Sequence, residues 1–304
     1  MISLLLILIA ALFFTAIVTK VKAKIVARKM PSIFQPLYDV IRLFKKGAIY
    51  SKTTSIIFRV APIIYFSSIL TAVFFIPLGS QKALLSFDGD FVFFAYLLAI
   101  GKFLMIVAAM DTGSGFEGMG ANREALYSML IEPAFFILIG SLALFTGYVS
   151  FYDLFLNFHL STNLSYIIAL AAIYVLIYIA SVENSRMPID DPKTHLELTM
   201  IHEVMVLDNS GFDLGLIHIA TWLKFSIYGA LISNFIIQNS WNWYWQILTF
   251  FLSVGIFAVV IALLESFRAR NKMGKNPQWI IMVSAIAFVI FLTVLIITQK
   301  LGLN

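Results

Sequence analysis

The chain has 304 residues, 61 % of them hydrophobic and 12 % charged, with a mean hydropathy of +0.94. These proportions exclude a soluble globular domain and mark an integral membrane protein. The net charge of +5 calls for no nucleic acid, and without cysteine the chain supplies neither a disulfide nor a thiolate for an iron–sulfur cluster, so any electron carrier belongs to a partner.

A bilayer core takes roughly 20 apolar residues per helix, and eight stretches qualify: about 1–19, 56–78, 91–110, 127–149, 165–182, 213–237, 244–264 and 278–298. The first is followed by neither a small-residue cleavage site nor a soluble domain, so it reads as a retained helix rather than a signal peptide. The expected fold is all-α, a single polytopic membrane domain over 1–304. The connections after spans one, three, five and seven, with their flanks, carry 17 of the 21 Lys and Arg. The positive-inside rule therefore places about 20–55, 111–126, 183–212 and 265–277 in the cytoplasm and both termini outside, in a cell membrane.

The first connection, KVKAKIVARKMPSIFQPLYDVIRLFKKG, is too polar to cross. From Gln35 onward, Leu37, Ile41 and Phe44 recur at helical spacing among Asp39, Arg42, Lys45 and Lys46, which predicts an interfacial amphipathic helix. It anchors the chain at the surface or, with the third cytoplasmic loop, walls a cavity facing a partner. In span two, Arg59 is near enough to the surface to snorkel. Lys102 lies deep in span three, where a lysine costs roughly 2.5–3.5 kcal/mol unless a carboxylate or a water path offsets it.

Gly113, Gly115, Gly118 and Gly120 suggest a phosphate-cradling loop, but their spacing matches neither nucleotide fingerprint and no strand precedes them. Asn122 reads instead as the cap of a helix entering span four. That start places Glu132, followed by Pro133, about two turns inside as a buried carboxylate. His159 and His218 have no partner histidine at compatible depth for a haem, and Tyr152, Trp241, Trp243, Tyr244 and Trp245 form the expected aromatic belts.

Glu183 to Gly211 is a polar stretch of about 29 residues wedged between two long apolar runs. Polar connections are commonly solvated loops, but ionisable clusters at a membrane edge point to function, and this one has internal order. Asp191 can cap a short helix that begins at Pro192, with Leu196, Met200, Val204 and Leu207 on its apolar side and Glu203 at that side's edge. His195, Thr199 and His202 make a polar stripe. Lys102 and Lys224, buried in two different spans, with glutamates at span edges such as Glu183 and Glu265, are more than helix anchoring requires and look like parts of a charge relay.

Glu183, Arg186, Pro188, Asp190, Pro192 and Glu197, closing with Ser210 and Gly211, resemble the E-x-x-R-x-P-x-D-x-P loop of the membrane subunit shared by respiratory complex I (its subunit 1) and energy-converting hydrogenases. Further matches are Arg28, Pro31, Gln35, Pro36, Asp39 and Arg42; Gly120, Ala121, Arg123, Glu124, Glu132 and Pro133; and Lys224. The landmarks run in order over nearly the whole chain. There are departures: Lys193 and His195 replace acids usual in complex I, Asp208 and Asn209 replace a glutamate–tyrosine pair, and Met30 replaces a glycine. HLELTMIHE looks more like the formate hydrogenlyase and hydrogenase-4 branch, in which no quinone takes part.

The resemblance implies a non-catalytic anchor and coupling subunit of a hydrogenase complex. Glu183, Arg186, Asp190, Asp191, Glu197, His202, Glu203 and Asp208 would face the hydrophilic arm; Lys102, Glu132 and Lys224 would form an intramembrane relay; Gln35, Asp39 and Arg42 would belong to the interfacial helix. Implied partners are hydrophilic hydrogenase and iron–sulfur subunits, which would hold the iron–sulfur clusters and a nickel–iron site, and antiporter-like membrane subunits moving H⁺ or Na⁺. The alternative within the family is the quinone-site subunit of an NADH:quinone oxidoreductase. A free-standing secondary transporter is the alternative from another class, though the inverted repeats such a protein usually shows are not seen.

Overall fold

A computed structural model describes residues 2–160, 163–190 and 200–298. Eight helices are long and apolar enough to cross a membrane: α1 (Ile2–Ile25), α3 (Ile56–Val73), α4 (Asp90–Asp111), α5 (Gly115–Thr146), α7 (Asn163–Glu183), α9 (Gly211–Asn234), α10 (Trp243–Phe267) and α11 (Asn276–Ile297). Three short α-helices, α2 (Gln35–Phe44), α6 (Phe151–Asn157) and α8 (His202–Met205), and a 3₁₀ turn at Met273–Lys275 complete the described helices. Helices are the expected solution, since no water inside a bilayer can satisfy an open backbone.

The least hydrophobic span is the most enclosed. In its most apolar window α9 has a hydropathy of 1.3 and is 83 % buried, whereas α11 has 3.2 and is 28 % buried. Lipid rewards apolar surface outside the bundle, while the interior helix can carry polar groups if neighbours satisfy them. Around α9 lie α1, α2, α3, α7 and α10, with α4 against α3 and α11 against α5.

Small residues allow the close approaches: Ala10, Ala11, Ala220, Ala258 and Ala262 are buried, and a Cβ on Gly101 would meet the Ser68 hydroxyl. Phe14 stacks on Phe225 at 4.7 Å and lies 5.2 Å from Phe257, joining α1, α9 and α10. At the end opposite the long loops, the buried Asp90 accepts from the Phe151 N–H (2.8 Å) and the Ser150 hydroxyl (3.1 Å), which ties down α6.

A helix forms at α2, where the interfacial helix is expected, with Pro36 in its first turn, Val40 buried, and Tyr38 and Ile41 exposed. Asn122 is not a cap: α5 begins after Ser114 and absorbs Gly115, Gly118 and Gly120 into its first turns, while Gly113 precedes it at positive φ. Packing needs the glycine at position 120, where a Cβ would meet the Ile201 carbonyl at 2.8 Å. In the loop after α7, Pro192, Leu196, His195 and Thr199 lie outside the described residues, as do Asp191 and Glu197. Downstream, Met200 and Val204 are buried, but Leu207 is 59 % exposed and does not continue the expected apolar face. The α6 turn was not expected; Phe151, Leu154 and Phe155 hold it in the core.

Candidate functional site

Two lysines and two glutamates meet in the middle of the bundle. Lys102 Nζ, from α4, lies 3.0 Å from Glu124 of α5, 3.1 Å from Glu183 at the end of α7, and donates to Ser128 Oγ at 2.7 Å. Lys224, from α9, has a side chain only 1 % exposed and reaches the Glu183 carboxylate at 2.7 Å and the Glu183 backbone carbonyl at 2.8 Å. Ser185 donates to the second oxygen of Glu124 at 3.1 Å. With both pairs ionised the cluster is neutral, which offsets the cost of placing ammonium groups at membrane depth.

Two further ion clusters fasten the loop that follows α7. Glu265, its side chain 1 % exposed, accepts from Lys22 at 2.8 Å and from Arg186 at 3.2 Å, and the Arg186 guanidinium lies over the Phe225 ring at 4.9 Å. Asp190 pairs with Arg270 at 2.8 Å through one oxygen; the other accepts the backbone N–H groups of Ile201 and His202, each at 3.1 Å. Asp190 therefore ties the start of α8 to the connection before α11. Burial raises its carboxyl above the ordinary range, while Arg270 and the two amides pull the other way. Burial, followed by the Lys224 and Lys102 ammonium groups, holds the His202 imidazole down to about 4, against an opposing pull from Glu124.

Three cavities connect these groups. The largest, about 630 Å³, lies beneath α2 among α1, α9 and the loop, and its lining includes Arg28, Gln35, Asp39, Arg186, His202 and Glu203. A small cavity of about 10 Å³ shares Asn184, His202 and Thr221 with it and is also lined by Lys102, Glu124 and Glu183. A third, about 60 Å³, shares Lys102 and Glu183 with the second and reaches Glu132, Tyr96 and Tyr228. Cavities with shared lining residues thus run from the loop, past the buried cluster, to the flank of α5, the last of them walled mainly by apolar side chains such as Phe94, Leu98 and Phe135.

The profile of the family described as NADH dehydrogenase matches residues 1–298. The chain belongs to that family. Among relatives, it is 33 % identical over 134 residues to hydrogenase-4 component C of Escherichia coli, a match covering 44 % of this chain and 42 % of that protein. To formate hydrogenlyase subunit 4 of the same organism it is 24 % identical over 273 residues, covering 84 % and 85 %. A chain in the structure of the membrane-bound sulfane sulfur reductase, an archaeal respiratory membrane complex, has the same fold: the TM-score is 0.75 at 21 % identity, covering 95 % of this chain and 98 % of that one.

In this member of the NADH dehydrogenase family, the expected relay residues Lys102 and Lys224 come together on Glu183. Glu132 does not join them. It is exposed on the flank of α5, because Glu124, Tyr127, Ser128 and Ile131 take the inward face and the next residue turns about 100° away. Glu183, Arg186 and Asp190, expected to face an arm, point into the protein. Asp208 alone among the described loop acids is exposed, its backbone N–H held by the buried Glu117 at 3.0 Å. His202 and Glu203 are half-buried on the large cavity. On α2, Asp39 accepts from Gln35 at 2.9 Å and lies 4.0 Å from Arg42.

Glu124, Lys22 and Arg270 carry the clusters without having been assigned to the site from sequence, and Glu265, expected in the charge relay, closes a separate cluster with Lys22 and Arg186. Glu124 was legible as the first member of an inward stripe with Ser128 and Ile131. No local signal pairs Lys22 with Glu265 across 243 positions. Among the described residues, no group of three His, Asp or Glu could hold a metal ion.

Proposed function

We propose that this chain is the membrane anchor and coupling subunit of a complex-I-like hydrogenase of the formate hydrogenlyase type. It docks a hydrophilic arm carrying iron–sulfur clusters and a nickel–iron site on the face of the α2 helix and the loop after α7, and passes redox energy to ion-moving membrane neighbours. The observation that carries this reading is the Lys102–Glu124–Glu183–Lys224 cluster, whose Lys102 and Glu183 line the cavities on both its sides, between the loop and the flank of α5. A change of charge at the loop alters the field along a route whose groups are desolvated and closely coupled. At the far end, an exposed Glu132 at membrane depth is costly in lipid, so a neighbouring membrane subunit covers it.

The hydrogenase branch is supported by HLELTMIHE and by the similarity to formate hydrogenlyase subunit 4 over most of both chains. The quinone-site reading has its own support, a 630 Å³ cavity with walls such as Val18, Leu43, Leu214 and Trp222. Purified complex separates the two. We expect hydrogen evolution from a low-potential donor without added quinone, unaffected by quinone-site inhibitors, with iron–sulfur and nickel–iron subunits copurifying. Inhibitor-sensitive quinone reduction would overturn the hydrogenase assignment, and a stable single chain that transports on its own would overturn the subunit role.

A further inference from the structure

The large cavity and the buried cluster do not open freely into one another. Asn184, His202 and Thr221 line both the 630 Å³ cavity and the 10 Å³ cavity behind it, forming a collar between them. The Thr221 hydroxyl donates to the Ile217 carbonyl of its own helix, and the Asn184 amide donates to Ala180. The remaining Asn184 oxygen is buried without a partner, a feature that calls for water. The inner cavity is about the size one water needs. Of the three collar residues, only His202 can take up and release a proton.

We propose that His202 is the gate through which protons pass between the large cavity and the buried Lys102–Glu124–Glu183 cluster. The inference rests on the coupling role proposed above and names the point where its route begins. A neutral imidazole carries one N–H donor and one acceptor nitrogen, so it can take a proton on one side and give one on the other. A hydronium in the large cavity gives its proton to the free ring nitrogen and becomes water. The proton on the opposite nitrogen passes through the single inner water to the Glu124 carboxylate, which becomes a carboxylic acid. The imidazole is left neutral with its proton on the other nitrogen, and a ring flip restores the starting state.

The charged and titratable groups facing this imidazole are Lys102 from α4, Glu124 from α5, Glu183 from α7, Lys224 and His218 from α9 and Glu203 beside it on α8, with Lys22 of α1, Asp39 of α2, and Arg28, Lys29 and Arg186 around the large cavity it lines. Two ammonium groups and burial keep the ring neutral at rest, so the gate conducts when the charge beyond it changes. Its placement is fixed independently of the ring: the His202 N–H is held by Asp190, itself held by Arg270. Substituting the side chain therefore leaves the loop clasp in place.

The test uses the whole complex in sealed vesicles, driven by a reduced viologen, with proton movement, hydrogen evolution and complex yield read on one preparation. His202→Gln, which keeps a hydrogen-bonding side chain but cannot relay a proton, should lower proton movement roughly 100-fold, as expected for loss of a positioned acid–base group. His202→Ala should behave alike, and free imidazole entering the large cavity should restore its proton movement in a saturable way. A purely structural role predicts no rescue. Undiminished proton movement in His202→Gln, or loss in His202→Ala that imidazole does not reverse, would overturn the gate. If His202→Gln pumps normally while Glu132→Gln does not, the gate fails and the coupling role stands; if the wild-type complex moves no ions, both fail.

Discussion

Replacing Glu183 with Gln should destabilise the bundle more than removing either lysine, and adding Lys224→Met should reverse most of the damage. Glu183 is the one carboxylate shared by both cations, and among the described residues Lys224 has no acceptor outside residue 183. Lys102 keeps Glu124 and Ser128 when Glu183 is neutralised. The variant therefore strands one ammonium whose side chain is 1 % exposed. Breaking a buried pair costs about 3–5 kcal/mol, and the surviving carbonyl acceptors put the expected loss near 3 kcal/mol at the low end of that range. With Lys224→Met added, the remaining Lys102–Glu124 pair is again neutral, and we expect about 2 kcal/mol to return. Unfolding of the four proteins of this double-mutant cycle can be followed by helical circular dichroism during titration with a denaturing detergent in mixed micelles. A double variant less stable than Glu183→Gln, by the amount Lys224→Met costs alone, would refute the shared-carboxylate reasoning.

The neutral His202 carries a pH signature. Its imidazole titrates near 4 in the folded chain against an ordinary value of 6.5, so the unfolded chain binds the proton first on acidification. Stability present above about pH 6.5 should therefore fall as pH drops toward 4, and His202→Gln should flatten that slope; an unchanged slope would assign it to other groups. Gly211→Ala should cost about 2 kcal/mol, combining positive φ with a Cβ pressed on the Gly47 carbonyl. Gly147→Ala, at positive φ but with open space around it, should cost less; equal losses would mean the α9 start does not pack on residue 47 as described.

Much of the architecture was legible because bilayer physics writes it directly into the chain. Apolar length marks the eight spans, and a lysine such as Lys102 or Lys224 inside one demands a partner. The partner itself was harder to read. Glu124 and Glu132 lie on one helix eight residues apart, about 80° from one another around its axis, and the packing of α4 and α7 decides which of them turns inward. Placing a cap at Asn122 hid the helical turn at Gly120 on which Ile201 packs. The loop acids read as outward because polarity in a connection normally means solvent, whereas Lys22, Arg186 and Arg270 bring Glu265 and Asp190 into the protein through pairings between distant segments.

The central claim is that the route ending at Glu132 couples hydrogen evolution to ion movement. Glu132 makes no ion pair among the described residues and is exposed, so Glu132→Gln should leave chain stability within about 0.5 kcal/mol of wild type. The decisive quantity is the number of ions moved per hydrogen evolved by the Glu132→Gln complex in sealed vesicles, at matched complex yield. The account predicts continued hydrogen evolution with that ratio falling to near zero; an undiminished ratio at full yield would contradict it.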